Sequence, residues 1–322
     1  MISHCIERLP ILILYPHNRC NCRCVMCDIW KIDTIQEISL SDIERHRADI
    51  AALGVEWIVF SGGEPLMHSD LFRLADRLRA LGIRTTILST GLLLSKHAER
   101  IVASIDDVIV SLDGPAPVHD SIRRVAGAFG LLASGVRALQ NLKPDLPVAA
   151  RCTVQKQNVG HLRETVRAAR DLGLRSISFL AADVTSTAFN RCEPWPPGRQ
   201  ASVALRQEEI LILEAEIEAL IQDETGGFVL ETPEKLRRII RHFRAHLGLE
   251  EPAAPRCNAP WVSAVVEADG TVRPCFFHSP IGNINTGGLL AVVNGQAAAE
   301  FRRTLNIAEN ATCRRCVCSL YR

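Results

Sequence analysis

The first 180 residues alternate short apolar, β-branched runs with amphipathic helical patterns. Some of these runs are separated by helical patterns that end at Gly54, Gly82 and Gly173. The fourth apolar run is followed by a loop and then by one long helix that ends near Leu142. Six successive strand–helix units predict a parallel sheet wrapped by helices. Because eight such units close a full barrel, six predict an α/β fold, a partial (β/α)6 TIM-like barrel that is open on one side. The candidate strands lie at 10–15, 56–60, 84–88, 107–112, 147–154 and 175–180.

The pattern changes after residue 181. Residues 183–202 are proline-rich and loop-like, and two amphipathic helices are predicted to follow, at about 203–222 and 233–247. Residues 257–322 predict a small separate module that is rich in cysteine. We therefore expect a barrel, a helical linker and a carboxyl-terminal domain, at residues 1–200, 201–250 and 251–322.

Charge and composition exclude several classes of partner. Lys and Arg total 37 against 36 Asp and Glu, so the net charge is +1. This balance gives no electrostatic footprint for nucleic acid or for an anionic membrane. The sequence shows neither a bilayer-length apolar run nor a signal peptide at its start, so we expect a cytoplasmic protein.

Cysteine is the outlier of the composition, with 12 residues in the chain. Four of them fall within residues 20–27 and three within 313–318. A chain of this length needs no disulfide staples, and the cytoplasm keeps thiols reduced. Clustered cysteines in such a compartment indicate thiolate ligation of metal.

The first cysteine set follows the first predicted strand with the spacing C-x3-C-x2-C, at Cys20, Cys24 and Cys27. In parallel α/β barrels the carboxyl ends of the strands carry the chemistry. Three thiolates can each bind one iron of a four-iron cluster and leave the fourth iron open to a reactant. Zinc is the alternative, with Cys22 or His17 as a fourth ligand.

This loop, with Trp30 just beyond it, resembles the signature of the radical SAM superfamily, whose members use S-adenosylmethionine (SAM). Four further segments agree with the superfamily in order and place, over about residues 10–180. They are Gly62-Gly63-Glu64-Pro65 (GGEP), Ser89-Thr90-Gly91, Ser111-Leu112-Asp113-Gly114 with the downstream His119-Asp120-Ser121-Ile122-Arg123, and residues 153–158.

The resemblance implies a SAM site at the ends of these strands. The glycine-rich loop and Glu64 would receive the ammonium group of SAM, Ser111 and Arg123 would hold its carboxylate, and Thr153 would lie near the adenosine. Glycines suit such a loop because they let a ligand approach the backbone closely. The implied cofactor-binding residues are Gly62, Gly63, Glu64, Pro65, Ser89, Thr90, Ser111, Asp113, Arg123 and Thr153.

The carboxyl-terminal cysteines resemble the twitch module, a shortened form of the SPASM extension of some radical SAM enzymes. The resemblance implies one auxiliary four-iron cluster on Cys257, Cys275, Cys313 and Cys316. Asp269-Gly270, a favoured tight-turn pair, predicts a hairpin of residues 262–266 and 271–273 between the first two of these cysteines. Two alternatives stay open: Cys318 could be the fourth ligand in place of Cys316, and the four cysteines could hold a structural zinc ion.

The implied reaction is reductive cleavage of SAM to a 5′-deoxyadenosyl radical, which takes a hydrogen atom from substrate. A flavodoxin- or ferredoxin-type reductant would supply the electron. We expect a small polar metabolite that is oxidised, epimerised or rearranged. The first alternative is a maturase of a ribosomally made peptide that works with a separate recognition protein. The second alternative is a non-catalytic zinc or electron-transfer protein.

The loop at 183–200 is predicted to follow the sixth strand on the same face as the first cysteines. Its polar side chains are expected to orient the substrate, unless the loop is merely a linker. They are Asp183, Asn190, Arg191 and Glu193.

Overall fold

The computed structural model of the protein describes residues 4–224 and 226–322. Within them, nine strands form one sheet in the order β6-β5-β4-β3-β2-β1-β7-β8-β9. Strands β1 to β7 pair in parallel, and β8 and β9 add antiparallel partners at one edge. The strands are β1 (Ile11–Leu14), β2 (Trp57–Phe60), β3 (Arg84–Ser89), β4 (Asp107–Ser111), β5 (Val148–Val154), β6 (Ile177–Ala181), β7 (Ser263–Val266), β8 (Thr271–Arg273) and β9 (Gly282–Asn283).

Helices connect the parallel strands and cover the outer face of the sheet. Their ends follow local rules, as at the first helix, where Ser39 and Asp42 form a reciprocal capping box. The helices are α1 (Leu40–Ala52), α2 (Leu71–Arg79), α3 (Leu94–Ser104), α4 (Ala116–Arg123), α5 (Ala128–Leu142), α6 (Leu162–Asp171), α7 (Pro197–Ala201), α8 (Gln207–Asp223), α9 (Pro233–His246), α10 (Ala259–Val262), α11 (Ile284–Gly287), α12 (Leu289–Asn294), α13 (Gln296–Thr304) and α14 (Ala311–Arg314).

The expected partial barrel is confirmed, with two local differences. The loop predicted after β4 contains α4, which Pro117 favours as a residue of its first turn and which ends where Arg124 adopts φ 55°. The proline-rich loop after β6 contains the short helix α7, again with a proline in its first turn.

The carboxyl-terminal module is joined to the barrel by its first strand. β7 pairs in parallel with β1 along its whole length, from Ile11 opposite Ser263 to Leu14 opposite Val266. The predicted hairpin of β7 and β8 is present, and Gly270 at its turn has φ +84°. The module was expected to be separate, but a long-range strand pairing leaves no signal in local sequence patterns.

Alternation along the strands separates two apolar layers. Leu12 and Leu14 of β1 face the helices and belong to the main core, whereas Ile11 and Ile13 face the barrel interior. This follows from the two-residue period of a strand. The interior cluster is small and includes Val265 of β7, so the module contributes to the inside of the barrel.

Within the described residues, no helix combines the length and the apolar character that crossing a membrane requires.

Removing residues 251–322 tests whether the module is independent. The truncation removes β7 and leaves β1 as an exposed, apolar edge strand, which favours association with other chains. We expect the truncated protein to aggregate in sedimentation velocity measurements, while the full chain stays dispersed. A truncated protein that sediments as a compact monomer with an unchanged melting temperature would show that the barrel does not need this strand.

Candidate functional site

The first cysteine set lies in the segment between β1 and the 3-10 turn at Ile29–Lys31, which we call the cluster loop (residues 15–31). Cys22 and Cys24 are buried, and Cys20 and Cys27 are half-buried. Hydrogen bonds with Cys20 and Cys24 raise the pKa of the Cys22 thiol, because its proton lies between its neighbours. The bond from Cys22, together with the Arg123 guanidinium, lowers the pKa of Cys24 to about 6. The loop thus favours a thiolate at one of its three predicted ligands.

Cys22 lies beside the predicted ligands, where the zinc alternative would place it. It lies off their spacing, yet its side chain is 1% exposed and contacts two of them. Its thiol therefore links two of the predicted ligands within the buried part of the loop.

Helix α4 holds one side of the cluster loop. The backbone N–H groups of Arg23 and Val25 donate to the carbonyls of Arg123 and Ile122, at 3.1 and 3.0 Å. Nη1 of Arg123 lies 3.5 Å from the Cys24 sulfur. The positive charge of Arg123 is therefore fixed next to the thiolate-favouring cysteine.

The Arg123 guanidinium is itself held by Asp113, the acid that follows β4. Nη2 of Arg123 lies 2.5 Å from one oxygen of Asp113, whose other oxygen accepts the Thr153 N–H at 3.0 Å. Nε of Arg123 is buried and has no hydrogen-bond partner among the described residues. Buried polar groups of proteins are almost always satisfied, so this N–H marks a place for an anionic ligand such as a carboxylate. The residue thus fits its expected role toward SAM.

Glu64 of the GGEP segment is bound to the two loops that follow β2 and β3. It is fully buried, and its two oxygens accept four hydrogen bonds. The donors are the Leu66 N–H, the Ser89 hydroxyl, and the N–H and hydroxyl of Thr90. A carboxylate offers about four acceptor positions, and these donors occupy them. Glu64 thereby joins the loops after β2 and β3, and its contact with the ammonium of SAM stays a prediction.

Through these bonds, the side-chain hydroxyls of Ser89 and Thr90 donate to Glu64 within the protein. In contrast, the hydroxyls of Ser111 and Thr153 make no hydrogen bond with the part of the chain that the structure describes, and both residues are half-buried at the ends of β4 and β5. Among the four hydroxyl residues expected at the cofactor, these two are free to contact it.

The glycines of GGEP pack directly on the cluster loop. A Cβ atom at Gly63 would lie 1.9 Å from the Arg19 carbonyl oxygen, which also accepts the Glu64 N–H at 2.8 Å. No side chain fits between the two backbones. Gly62, with φ +97°, precedes this contact, and Pro65 begins a 3-10 turn at Pro65–Met67 after it.

The loop at 183–200, which we call the clamp loop, holds the other side of the cluster loop. Nη2 of Arg191 donates to the Met26 carbonyl at 3.1 Å, and Nδ2 of Asn190 donates to the Asp28 carbonyl at 3.2 Å. Nε1 of Trp195 donates to the Asp28 carboxylate at 2.6 Å. Although burial opposes its ionisation, hydrogen bonds from Trp195 and Lys31 hold the pKa of Asp28 below its usual value.

Arg191 holds the clamp loop to the cluster loop through its two Nη atoms, and its buried Nε, like that of Arg123, has no partner among the described residues. It forms an ion pair with Asp183 at 2.7 Å, and the two side chains are 1% and 3% exposed. Its guanidinium lies 3.8 Å from the ring centroid of Trp195. Asp183 and Arg191 are thus bound to each other, whereas Asn190 is exposed and makes one side-chain hydrogen bond, so a substrate role for this loop stays a prediction. Glu193 is exposed.

The carboxyl-terminal cysteines all line one cavity, which lies between the barrel interior and the module. Burial raises the pKa of Cys275 and of Cys313 to about 11, and it also raises the pKa of Cys316 and Cys318. Nearby thiols add to each of these shifts, so a cation is needed before several of them can ionise together.

The surroundings of these cysteines fix their backbone. The N–H groups of Phe277 and His278 bond to the Cys275 sulfur, and Nε2 of His278 lies 3.3 Å from the Cys313 sulfur. Arg238 donates to the carbonyl of Cys316 at 3.0 Å and to that of the next residue at 3.3 Å.

Over residues 4–224 and 226–322, no three His, Cys, Asp or Glu side chains converge as ligands of one metal ion. A four-iron cluster does not need such convergence, because each thiolate binds a different iron. The two sets, of three and four predicted ligands, fit clusters by their donor chemistry.

Replacing Arg191 tests the clamp. Arg191→Ala leaves the Asp183 carboxylate buried without its partner, a change that costs about 3–5 kcal/mol. We expect a lower melting temperature and loss of iron from the reconstituted protein, with SAM cleavage in the absence of substrate falling in parallel. Glu193→Ala, on the same loop but exposed, is the matched control and should change neither. Normal iron content in the Arg191 variant would show that Arg191 is not needed to hold the cluster loop in place.

Comparisons with known proteins agree with this geometry. Residues 14–182 match the Radical SAM superfamily, and residues 257–317 match SPASM, an iron–sulfur cluster-binding domain. The chain is 34% identical to the pre-heme d1 synthase of Dinoroseobacter shibae over 170 residues, 51% of this chain and 41% of that protein. It is 26% identical to the PqqA peptide cyclase of Ruegeria pomeroyi over 266 residues, 80% of this chain and 65% of that protein. The chain thus spans less than two thirds of the length of either relative.

The fold is shared with SuiB of Streptococcus suis. The structure bound to SAM has a TM-score of 0.69 at 16% identity, covering 99% of this chain and 74% of that chain. The structure bound to the precursor peptide SuiA has a TM-score of 0.65 at 16% identity, covering 99% and 73%. Because the superfamily match spans more than half of the sequence, this chain belongs to the radical SAM superfamily of enzymes, which use a four-iron cluster and SAM, and it carries a SPASM domain for auxiliary iron–sulfur binding.

Proposed function

We propose that this enzyme modifies a peptide, one apolar side chain of which enters the cavity between the barrel and the SPASM domain. The cavity has a volume of about 310 Å³. The auxiliary cluster on its cysteines would fill part of this space, and the surface that lines it is mainly apolar. This lining is the observation that carries the proposal. Barrel side chains on one side face aromatic side chains of the domain on the other, namely Ile11, Ile13, Val59, Leu88, Phe276 and Phe277.

The sequence favoured a small polar metabolite, and the cavity supports the peptide alternative instead. A sugar or aminocyclitol presents hydroxyl or amino groups in every direction, and those that face the apolar part of the wall would be buried without partners, which is costly. The polar side chains of the lining, such as Arg151 and Glu231, can satisfy only some of these groups. An aliphatic or aromatic side chain gains free energy from the same walls. The rest of a peptide can stay outside, so the substrate need not fit the cavity as a whole.

The relatives support the same choice. The match to the PqqA peptide cyclase extends over 80% of the chain, and SuiB has been solved with its precursor peptide. The match to the pre-heme d1 synthase covers 51%. A heme-like macrocycle is much larger than one side chain, and 310 Å³ is at the lower end of the range of about 300–1,000 Å³ for ligand pockets.

Each part of the site has a role in this reaction. SAM and the reduced cluster, when bound, supply the radical that takes a hydrogen atom from the substrate. Nε of Arg123 would receive the SAM carboxylate, the backbone of Gly62 and Gly63 its ammonium group, and Ser111 and Thr153 would contact the remainder. Glu64, Asp113 and Arg191 would position these groups, and the apolar walls would exclude water from the reacting carbon.

At the auxiliary site we propose Cys257, Cys275, Cys313 and Cys316 as the ligands. The SPASM match ends at residue 317 and so includes Cys316 but not Cys318. Cys318 also packs against the main core. The domain boundaries, the flavodoxin- or ferredoxin-type reductant and the cytoplasmic location stay predictions.

Iron analysis tests the two ligand sets separately. Protein reconstituted without oxygen should hold about eight irons, in two four-iron clusters. Changing Cys20, Cys24 and Cys27 together to Ala should leave about four, and so should changing the four auxiliary ligands. Replacing Cys318 alone should leave the iron content unchanged. Stoichiometric zinc without sulfide would contradict both assignments.

A protease-sensitivity assay tests the substrate class. Reconstituted enzyme with SAM and dithionite should release 5′-deoxyadenosine slowly on its own and faster with a peptide fraction of the source cells. Treating that fraction with protease should remove the stimulation, and mass spectrometry should find a peptide of altered mass. Stimulation that survives protease and follows the low-mass fraction would favour the small metabolite.

A variant that fills the interior cavity tests whether the peptide substrate binds there. Ile109→Trp places a large ring in the cavity beside β4 and should abolish the stimulation by peptide. Leu131→Trp, on the exposed face of α5, is the matched control and should retain it. Full stimulation in the Ile109 variant would show that the substrate binds elsewhere.

A further inference from the structure

A second, larger cavity lies outside the barrel, between α9, the segment at 251–256 and the end of the chain. Its volume is about 680 Å³. Six of its lining side chains are Lys or Arg and two are Glu, although the whole chain has a net charge of +1. We call it the basic cleft. Burial lowers the pKa of its His242 to about 4, so this residue adds no charge near neutral pH.

Four of the basic side chains in the cleft lack an acidic partner. Lys235, Arg241, Arg256 and Arg315 are exposed, and none of them forms an ion pair within the described residues. Many other arginines of this chain do pair with carboxylates, for example Arg237 with Glu218 on the neighbouring face of α9. A concave site with several unpaired cations attracts and holds anionic ligands.

One wall of the cleft offers backbone groups as well as charge. Residues 251–255 form neither helix nor strand, and the backbone groups of Ala253 and Ala254 make no hydrogen bond with any described residue. Unpaired backbone N–H and C=O groups can form hydrogen bonds with the backbone of an extended peptide that lies along them. Charge and backbone together favour a peptide over a free phosphate or a small acid.

We propose that the basic cleft binds an acidic, extended segment of a peptide. This inference rests on the proposed function and deepens it, since the segment would belong to the substrate. The cleft and the interior cavity share Lys235, Arg238, Pro255, Cys316 and Ser319 on their walls. A peptide held in the cleft by its acidic part therefore lies next to the cavity that would receive its apolar side chain.

The test uses reconstituted enzyme and a fluorescein-labelled peptide of alternating glutamate and alanine, followed by fluorescence anisotropy. The peptide should bind saturably and more weakly as salt is added. The matched peptide of glutamine and alanine should not bind. Arg241→Glu should weaken binding about tenfold, as expected for loss of one charge-assisted contact, and adding Arg315→Glu should weaken it further. Arg137→Glu, an exposed and unpaired arginine on α5, is the control and should bind normally.

Three results would overturn the inference: no binding of the glutamate peptide, equal binding of the glutamine peptide, or normal binding by the Arg241 variant. Displacement of the peptide by an acidic flavodoxin at equal strength would assign the cleft to a redox partner instead. If Arg241→Glu lowers the melting temperature, Arg241→Gln replaces it.

The inference and the proposed function fail in different ways. Arg241→Glu should leave SAM cleavage without substrate unchanged. Tight binding of the glutamate peptide with no peptide-stimulated cleavage would refute the proposed function alone. Peptide-stimulated cleavage that Arg241→Glu does not affect would refute the inference alone.

Discussion

The structure depends on placing several thiols side by side at the end of one buried strand. Thiolates repel one another and lose hydration when buried, so an unsupported loop would open. Two arginines limit this cost: Arg123 lies 3.5 Å from the Cys24 sulfur, and Arg191 donates to the carbonyl between Cys24 and Cys27. Each arginine is held by its own buried aspartate, at 2.5 and 2.7 Å. The loop is therefore held from both sides by paired charges.

The partial barrel explains why these contacts meet at one place. Asp113 follows β4, Asp183 follows β6, and Glu64 follows β2, so the carboxyl ends of three parallel strands supply three of the buried acids. Glu64 joins the loops after β2 and β3, whereas Asp113 and Asp183 pair with arginines 10 and eight residues further along the chain. Those arginines in turn contact the cluster loop, which is far away in sequence. We therefore interpret these residues as positioning groups, because each of them holds a loop of the site in place.

Much of the barrel could be predicted because local patterns determine it. The strands, the cysteine spacing and the order of the segments after each strand are visible in the sequence. The contacts of Glu64 and Arg191 could not be predicted from the sequence. A polar loop residue is assumed to be available to a ligand until its partners within the protein are known. The partners of Glu64 lie 25 and 26 residues away, and Arg191 reaches a carbonyl 165 residues away. The pairing of β7 with β1 was missed for the same reason, and the Cys22 contacts depend on how the loop folds back.

Electron paramagnetic resonance of the dithionite-reduced enzyme, with and without SAM, tests the central claim that the cluster loop carries the open, SAM-binding cluster and the SPASM domain a closed one. SAM should change the signal of one cluster and leave the other as it was. In protein with Cys257 and Cys275 replaced, the SAM-sensitive signal should remain, and in protein with Cys24 replaced it should be absent. A SAM-dependent change that disappears with the auxiliary cysteines and persists without Cys24 would contradict the account.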